Sequence, residues 1–290
     1  MRLEKFFLRK PSGKNAKKAA LEALRQDASK DITSVFCIKR NERCRARIVA
    51  KSDFVLCGTF EANEIFSSKK VSCKWNSSEG DEVKKGQVVC QLYGNCRAIL
   101  ACERVALNFL MVLSGIATAS RKAAQKYGKW KVAATRKTYP GLSDSCKRAV
   151  LVGGCLTHRL SLADGILVKD NHLAMIRKRM GRIEDAICVA ISSFPKGRFV
   201  EVEVSSEKEA AFAAKCGADA ILIDNVGWKR FSKIAIAARQ ENPKIIIEAS
   251  GGITMRTAAK YFEAGADFVS TSKLILEAKP ADLSLEIEEG

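Results

Sequence analysis

The sequence predicts an α/β protein, an open (incomplete) α/β barrel joined to a smaller N-terminal α+β sandwich domain. Three observations carry this reading. From residue 132 onward short apolar runs alternate with helical patterns, which implies parallel strands linked by crossovers. A Gly-Ala-Asp turn recurs within Cys216–Asp219 and Ala264–Asp267, as a repeated helix-to-strand unit would give. Six such strands can be read, and each ends on polar residues, whereas a closed barrel of this kind has eight strands.

In chain order, Asn15–Gln26 has apolar residues at helical spacing among good helix formers. Arg43–Gly58 and Val71–Leu92 read as strands of an antiparallel sheet, the second broken by turns at Gly80–Val83 and Lys85–Val88. Cys102–Lys126 predicts a long helix with Leu107, Leu110, Leu113, Ile116 and Ala117 on one stripe and Glu103 and Arg104 at its start. Gly115 inside that helix costs ~1 kcal/mol against Ala, so a close neighbour is expected there. Predicted strands follow at Val132–Thr135, Ile166–Lys169, Phe199–Val204, Ala220–Asp224, Ile245–Ala249 and Phe268–Ser270. The helices between them are expected at Ser143–Val152, Ile183–Ser193, Glu207–Cys216, Trp228–Arg239 and Met255–Glu263.

Composition sets the limits. The 290 residues are 47% hydrophobic and 28% charged, enough for a full core and a solvated surface. No uncharged apolar run approaches the ~18 residues of a membrane span, and the first 18 residues lack a secretory apolar core. The net charge of +18 is spread along the chain without interleaved aromatics, which favours a solvated basic surface over a nucleic-acid site. There are 11 cysteines but no CxxC, and two histidines offer zinc little. Cys44, Cys57, Cys73, Cys90, Cys96 and Cys102 sit in apolar patterns and read as core or half-buried thiols, which fits a reducing, cytoplasmic setting.

The strand ends carry the chemistry. They are Arg136 and Lys137, Lys169, Glu203, Asp224, Ser250-Gly251-Gly252 and Ser270-Thr271-Ser272. In a barrel of parallel strands these ends share one face, where such folds hold their sites. With His158 and Arg159, the cations Arg136, Lys137 and Lys169 suit a ligand bearing several carboxylates or phosphates. The glycine pair offers unhindered backbone N–H groups to a phosphate. Glu203 and Asp224 suit Mg²⁺, or pair instead with Lys137 and Lys169. A Schiff-base role for Lys169 needs a lowered pKa, which neighbouring Asp170 opposes.

Several segments together resemble the quinolinate phosphoribosyltransferase (carboxylating nicotinate-nucleotide pyrophosphorylase) family. They are Asp31–Ser34, Glu103–Thr118, Thr135–Leu142, Gly153–Arg159, Ile166–His172, Val200–Val204, Ile221–Asn225, Glu248–Ile253 and Asp282–Leu285. The resemblance implies an N-terminal domain over residues 1–112, a roughly seven-stranded open barrel over 113–275, and a segment 276–290 that rejoins the first domain. It implies transfer of phosphoribose from phosphoribosyl pyrophosphate to quinolinate, with decarboxylation, in NAD biosynthesis. By the same resemblance, Arg104 from a partner subunit joins Thr135, Arg136, His158 and Arg159 around quinolinate. Lys137 and Lys169 lie between the two substrates, and Glu203 and Asp224 lie by the ribose and Mg²⁺. Ser250, Gly251, Gly252, Ser270, Thr271 and Ser272 hold the 5′-phosphate. A homodimer, or a larger dimer-based assembly with shared sites, follows. The chain departs from the family pattern at Lys30, Tyr139, Cys155 and Ser272. The alternatives are a non-catalytic anion-binding relative or a relative associated with molybdenum transport. The latter typically lacks the lysine found here at Lys169.

Overall fold

The computed structural model of the chain describes residues 2–195 and 197–288. Its strands are β1 (Arg43–Ala50), β2 (Phe54–Val55), β3 (Ser72–Trp75), β4 (Glu82–Val83), β5 (Val88–Asn95), β6 (Val132–Ala134), β7 (Ile166–Val168), β8 (Val200–Val204), β9 (Ala220–Asp224), β10 (Ile246–Ser250), β11 (Phe268–Thr271) and β12 (Leu283–Ile287). Two compact units emerge: Met1–Arg9 with Lys126–Arg136 and Leu156–Lys273, and Lys10–Gln125 with Lys137–Cys155 and Leu274–Gly290.

The first unit is built on a six-stranded parallel sheet in the order β6-β11-β10-β9-β8-β7. The strands are near-continuous apolar runs because both faces are covered, as parallel sheets require. Where a seventh strand is implied, the chain makes only a bridge. Leu156 donates its N–H to Val132 O and accepts from Ala134 N–H, at 2.8 and 2.9 Å. The repeated turn proves to be one local structure used twice. Gly217 and Gly265 are left-handed at φ 95° and 105°, ending the helices before β9 and β11. The aspartates that follow each accept a strand N–H: Asp219 from Val200 at 2.9 Å, Asp267 from Ile247 at 2.8 Å.

A helix at Arg2–Phe7, for which the sequence was too short to show periodicity, inserts Phe7 against Ala133, Leu156, Ala220, Ile246 and Phe268. Two further differences have local causes. The helix expected from Met255 starts at Ala258, because the Thr254 hydroxyl takes the N–H groups of Arg256 and Thr257 in a turn. A helix at Asp170–Met180, largely exposed and without a strong apolar stripe, precedes the expected one at Ile183–Ser192. Cys188 and Cys216, neither of them among the six cysteines read above as core or half-buried thiols, are bridged in a disulfide.

The second unit carries a four-stranded antiparallel sheet, β12-β1-β5-β3, and the short pair β2-β4. The last strand lies against the first, from Ala46 opposite Ile287 to Ala50 opposite Leu283. A helix at Thr59–Ser68 lies between the two expected strand regions. The long helix runs over Cys96–Tyr127, beginning before Cys102 because the apolar stripe extends back through Ile99. Its length and composition would suit a membrane crossing, yet 61% of its most apolar window is buried, as in the core helix of a folded domain. Gly115 has the close neighbour its placement suggested: a Cβ there would lie 2.4 Å from Lys279 O. Cys57, Cys90, Cys96 and Cys102 are buried, and Cys44 and Cys73 are half-buried, as expected.

Candidate active site

Strand register decides which side chains share a face. Glu203 lies beside Leu222, which lies beside Glu248; Asp224 lies beside Ser250; Ser270 lies beside Ala133. Side chains two apart on a strand share a face, so Glu201 and Glu203 join them, with Asp224, Ser250 and Ser270 toward the strand ends. This is the face on which Ala220, Ile246 and Phe268 pack around Phe7. The carboxylates and hydroxyls of the site thus sit directly above a closed apolar floor.

At the β7–β9 edge, Lys169 Nζ stands 3.6 Å from Glu203 Oε2. Lys169 is exposed while Glu203 is largely covered. Burial raises the Glu203 carboxyl, Lys169 pulls it down, and Asp170 and Asp224 push it up again, with a net upward shift. Glu203 and Asp224 line a pocket of ≈ 360 Å³ together with Asp170, Arg177, Ser205 and Glu209. Asp170 is a site carboxylate that sequence reasoning weighed only as a neighbour of Lys169. The turn after β7 is fixed because His172 Nδ1 accepts the Lys169 N–H at 2.9 Å.

The glycine loop follows β10. Gly251 and Gly252 are left-handed, at φ 82° and 62°. A Cβ at Gly251 would lie 2.5 Å from Asn225 N, so this position admits only glycine. Asn225, itself at φ 56°, donates its N–H to Ser250 O at 3.0 Å, which ties the loop to the end of β9. Thr271 is buried and its hydroxyl donates to Ile253 O at 2.9 Å, bracing the same loop from β11. Ser270 is buried, Ser272 half-buried, and the Thr135 N–H reaches Thr271 O at 3.5 Å. Arg136 is exposed and Arg159 half-buried, close enough for Arg159 to feel the Arg136 charge.

His158 departs from its neighbours. It is 6% exposed, adopts φ 53°, and donates its backbone N–H to Phe7 O at 2.8 Å. Its Nε2 lies 2.9 Å from Glu248 Oε2 and 3.5 Å from Glu201 Oε2. Its Nδ1 accepts the Arg159 backbone N–H at 2.8 Å. Glu201 and Glu248 were not singled out from the sequence. The available signal was a carboxylate within an apolar strand run, in VEVEV and in IIIEAS, which demands a buried partner.

Arg104 and Lys137 belong to the second unit. Arg104 is exposed on the long helix, with Glu103 at 4.0 Å. Lys137 is also exposed. At two of the departures from the family pattern, Tyr139 donates its hydroxyl to Ile275 O at 3.4 Å, and buried Cys155 donates its thiol to Ser120 O at 3.2 Å. Both substituted side chains therefore have structural partners.

The chain is similar to known proteins over most of its length. Residues 116–286 match the model of the quinolinate phosphoribosyl transferase C-terminal domain, and residues 31–114 match that of its N-terminal domain. The chain is 37% identical over 273 residues to a probable nicotinate-nucleotide pyrophosphorylase [carboxylating] of Methanothermobacter thermautotrophicus, covering 92% of this chain and 96% of the relative. It is 35% identical over 247 residues to the human nicotinate-nucleotide pyrophosphorylase [carboxylating], covering 84% and 82%. The solved nicotinate-nucleotide pyrophosphorylase of Francisella tularensis superposes with a TM-score of 0.83 at 30% identity, over 98% of this chain and 99% of that one.

Proposed function

The chain belongs to the quinolinate phosphoribosyl transferase family, and from that premise we propose how its residues carry out the family's reaction. The enzyme transfers phosphoribose from phosphoribosyl pyrophosphate to the nitrogen of quinolinate and releases the 2-carboxylate as CO₂, giving nicotinate mononucleotide. The observation that carries this reading is the pairing of Lys169 with Glu203 beside Asp224, with Arg159 and Arg136 in the same unit. Cations for a dicarboxylate and carboxylates for a developing cation are thereby held in one unit, at or past the ends of its strands.

Arg136 and Arg159 bind the two carboxylates of quinolinate, which orients its nitrogen toward the ribose. The bond from ribose C1 to the pyrophosphate oxygen breaks as the bond from C1 to nitrogen forms. Positive charge builds on the ribose during that exchange, and Glu203 and Asp224 stabilise it. Lys169, and by the family resemblance Lys137, offset the negative charge gathering on pyrophosphate. Loss of CO₂ follows, its electron pair accepted by the pyridinium ring and the ring carbon then protonated. The loop at Ser250–Gly252 supplies backbone N–H groups to the 5′-phosphate.

Four carboxylates, Asp170, Glu203, Glu209 and Asp224, line one pocket, and oxygen donors of this kind are what a hard divalent cation takes. Mg²⁺ held there would neutralise pyrophosphate as it leaves. Arg104 is exposed and, among the described residues, is paired only with its own neighbour Glu103, which leaves it able to serve a partner subunit's site in a homodimer.

The test is turnover with quinolinate, phosphoribosyl pyrophosphate and Mg²⁺, with nicotinate as control acceptor. Pyrophosphate release with quinolinate and little with nicotinate supports the reading, since nicotinate leaves part of the arginine pocket unpaired. Quinolinate binding without pyrophosphate release would instead mark a non-catalytic anion-binding relative.

A further inference from the structure

Two carboxylates that the reaction does not use lie beneath the site. Glu201 is 2% exposed and Glu248 is 1% exposed, on β8 and β10, with β9 between them. Both approach His158 Nε2, and Glu248 makes the hydrogen bond at 2.9 Å. A metal ion held between these side chains is one candidate occupant, since their ligand atoms all lie within 4.8 Å of one another. The direct hydrogen bond between His158 and Glu248 argues against it, because an ion would have to part them.

The ring of His158 has a defined polarity. Its Nδ1 accepts the Arg159 N–H, so that nitrogen carries no proton. The ring proton is therefore on Nε2 and is donated to Glu248. Glu248 accepts as a carboxylate, and Glu201, with its carboxyl beside it, carries the proton of the pair. The charges follow the same pattern. Burial and then Glu248 hold Glu201 well above the usual carboxylate range. Burial opposes ionisation of Glu248 too, but hydrogen bonds from His158, Ser270 and Glu201 favour its carboxylate, and the group is held below that range. The Arg159 guanidinium feels the charge of this pair, which works against the effect of its own burial.

We propose that Glu248 is a positioning residue for quinolinate recognition: it fixes the His158 ring, whose other nitrogen holds the backbone N–H of Arg159, and so aims the Arg159 guanidinium into the site. Glu201 is its protonated companion. The left-handed backbone of His158 is thereby held from three sides, by Phe7 O, by Glu248 and by Arg159 N–H. The inference rests on the quinolinate-binding role given to Arg159 above.

The experiment has a kinetic arm and a spectroscopic arm. Glu248→Gln should raise KM for quinolinate about tenfold or more, while KM for phosphoribosyl pyrophosphate changes less than about twofold. Glu201→Gln replaces a neutral carboxyl with a neutral amide and should leave both within about twofold. Equal damage from the two substitutions, or an unchanged quinolinate KM in Glu248→Gln, overturns the proposal.

The spectroscopic arm does not depend on turnover or on either variant folding. The chain has two histidines, so nitrogen-15 NMR of the wild-type protein, with His172→Gln for assignment, reads the His158 ring directly. A proton on Nε2 with Nδ1 bare is the expected result, and a proton on Nδ1 overturns the proposal. Wild-type protein that shows the expected tautomer but no turnover would refute the proposed reaction and leave the hydrogen-bonded brace standing.

Discussion

Lys169 and Glu203 set the character of the site at the residue scale. Each lies at a strand end above the apolar floor, Lys169 exposed and Glu203 largely covered, so either can be changed without opening that floor. Lys169→Ala and Lys137→Ala should each lower kcat about 10²–10³-fold with little change in melting temperature; a near-normal rate at either position removes that residue from the chemistry. Glu203→Gln combined with Asp224→Asn should blunt the response of rate to Mg²⁺ concentration, and an unchanged Mg²⁺ profile would make both carboxylates structural. Glu201 gives a test by pH. Its folded carboxyl is held above the usual range, so the folded chain keeps a proton that the unfolded chain releases above about pH 4.3. Stability from that group is full below the unfolded value and is lost as pH rises toward the folded one. Gln has no such proton, so the melting difference between Glu201→Gln and wild type should move in the variant's favour from about pH 4 to about pH 8. A difference independent of pH would mean that Glu201 ionises normally.

The repeated turn is the clearest case at the scale of elements. The recurring Gly-Ala-Asp was visible as a pattern, and each copy ends a helix on a left-handed glycine and ties an aspartate to the start of a preceding strand. Asp219→Ala removes a charge-assisted hydrogen bond to Val200 N–H and should cost about 1.5–3 kcal/mol, read by denaturant unfolding; a loss under about 0.5 kcal/mol would show the tie to be incidental. The parallel strands were legible for the same reason that they are stable: apolar runs covered on both faces leave little ambiguity. The short helix at Arg2–Phe7 and the polar one at Asp170–Met180 were not, because neither carries enough turns of apolar periodicity. Strand-end residues such as Lys169 and Asp224 were found because charge at the end of an apolar run stands out. Glu201 and Glu248 were hidden within the runs, where only their pairing with His158, distant in sequence, explains them.

For the whole molecule, the account requires a shared site. Arg104 lies on the helix of the second unit, and the family resemblance, rather than spacing, assigned it to a partner's pocket. Losing an arginine–carboxylate contact in a pocket partly desolvated by the substrate and partner should cost about 2–4 kcal/mol in kcat/KM, so Arg104→Ala alone should be nearly inactive. Mixed with Lys137→Ala, it should regain activity, because one pocket of each mixed dimer then holds both native residues. No recovery after proven subunit exchange would return Arg104 to its own chain or exclude it from the site. The central claim, phosphoribosyl transfer coupled to decarboxylation, is tested most directly with quinolinate carrying carbon-13 in its 2-carboxylate. The account predicts one labelled CO₂ for each pyrophosphate released and unlabelled nicotinate mononucleotide as product. Pyrophosphate released without labelled CO₂, or label retained in the nucleotide, would contradict it.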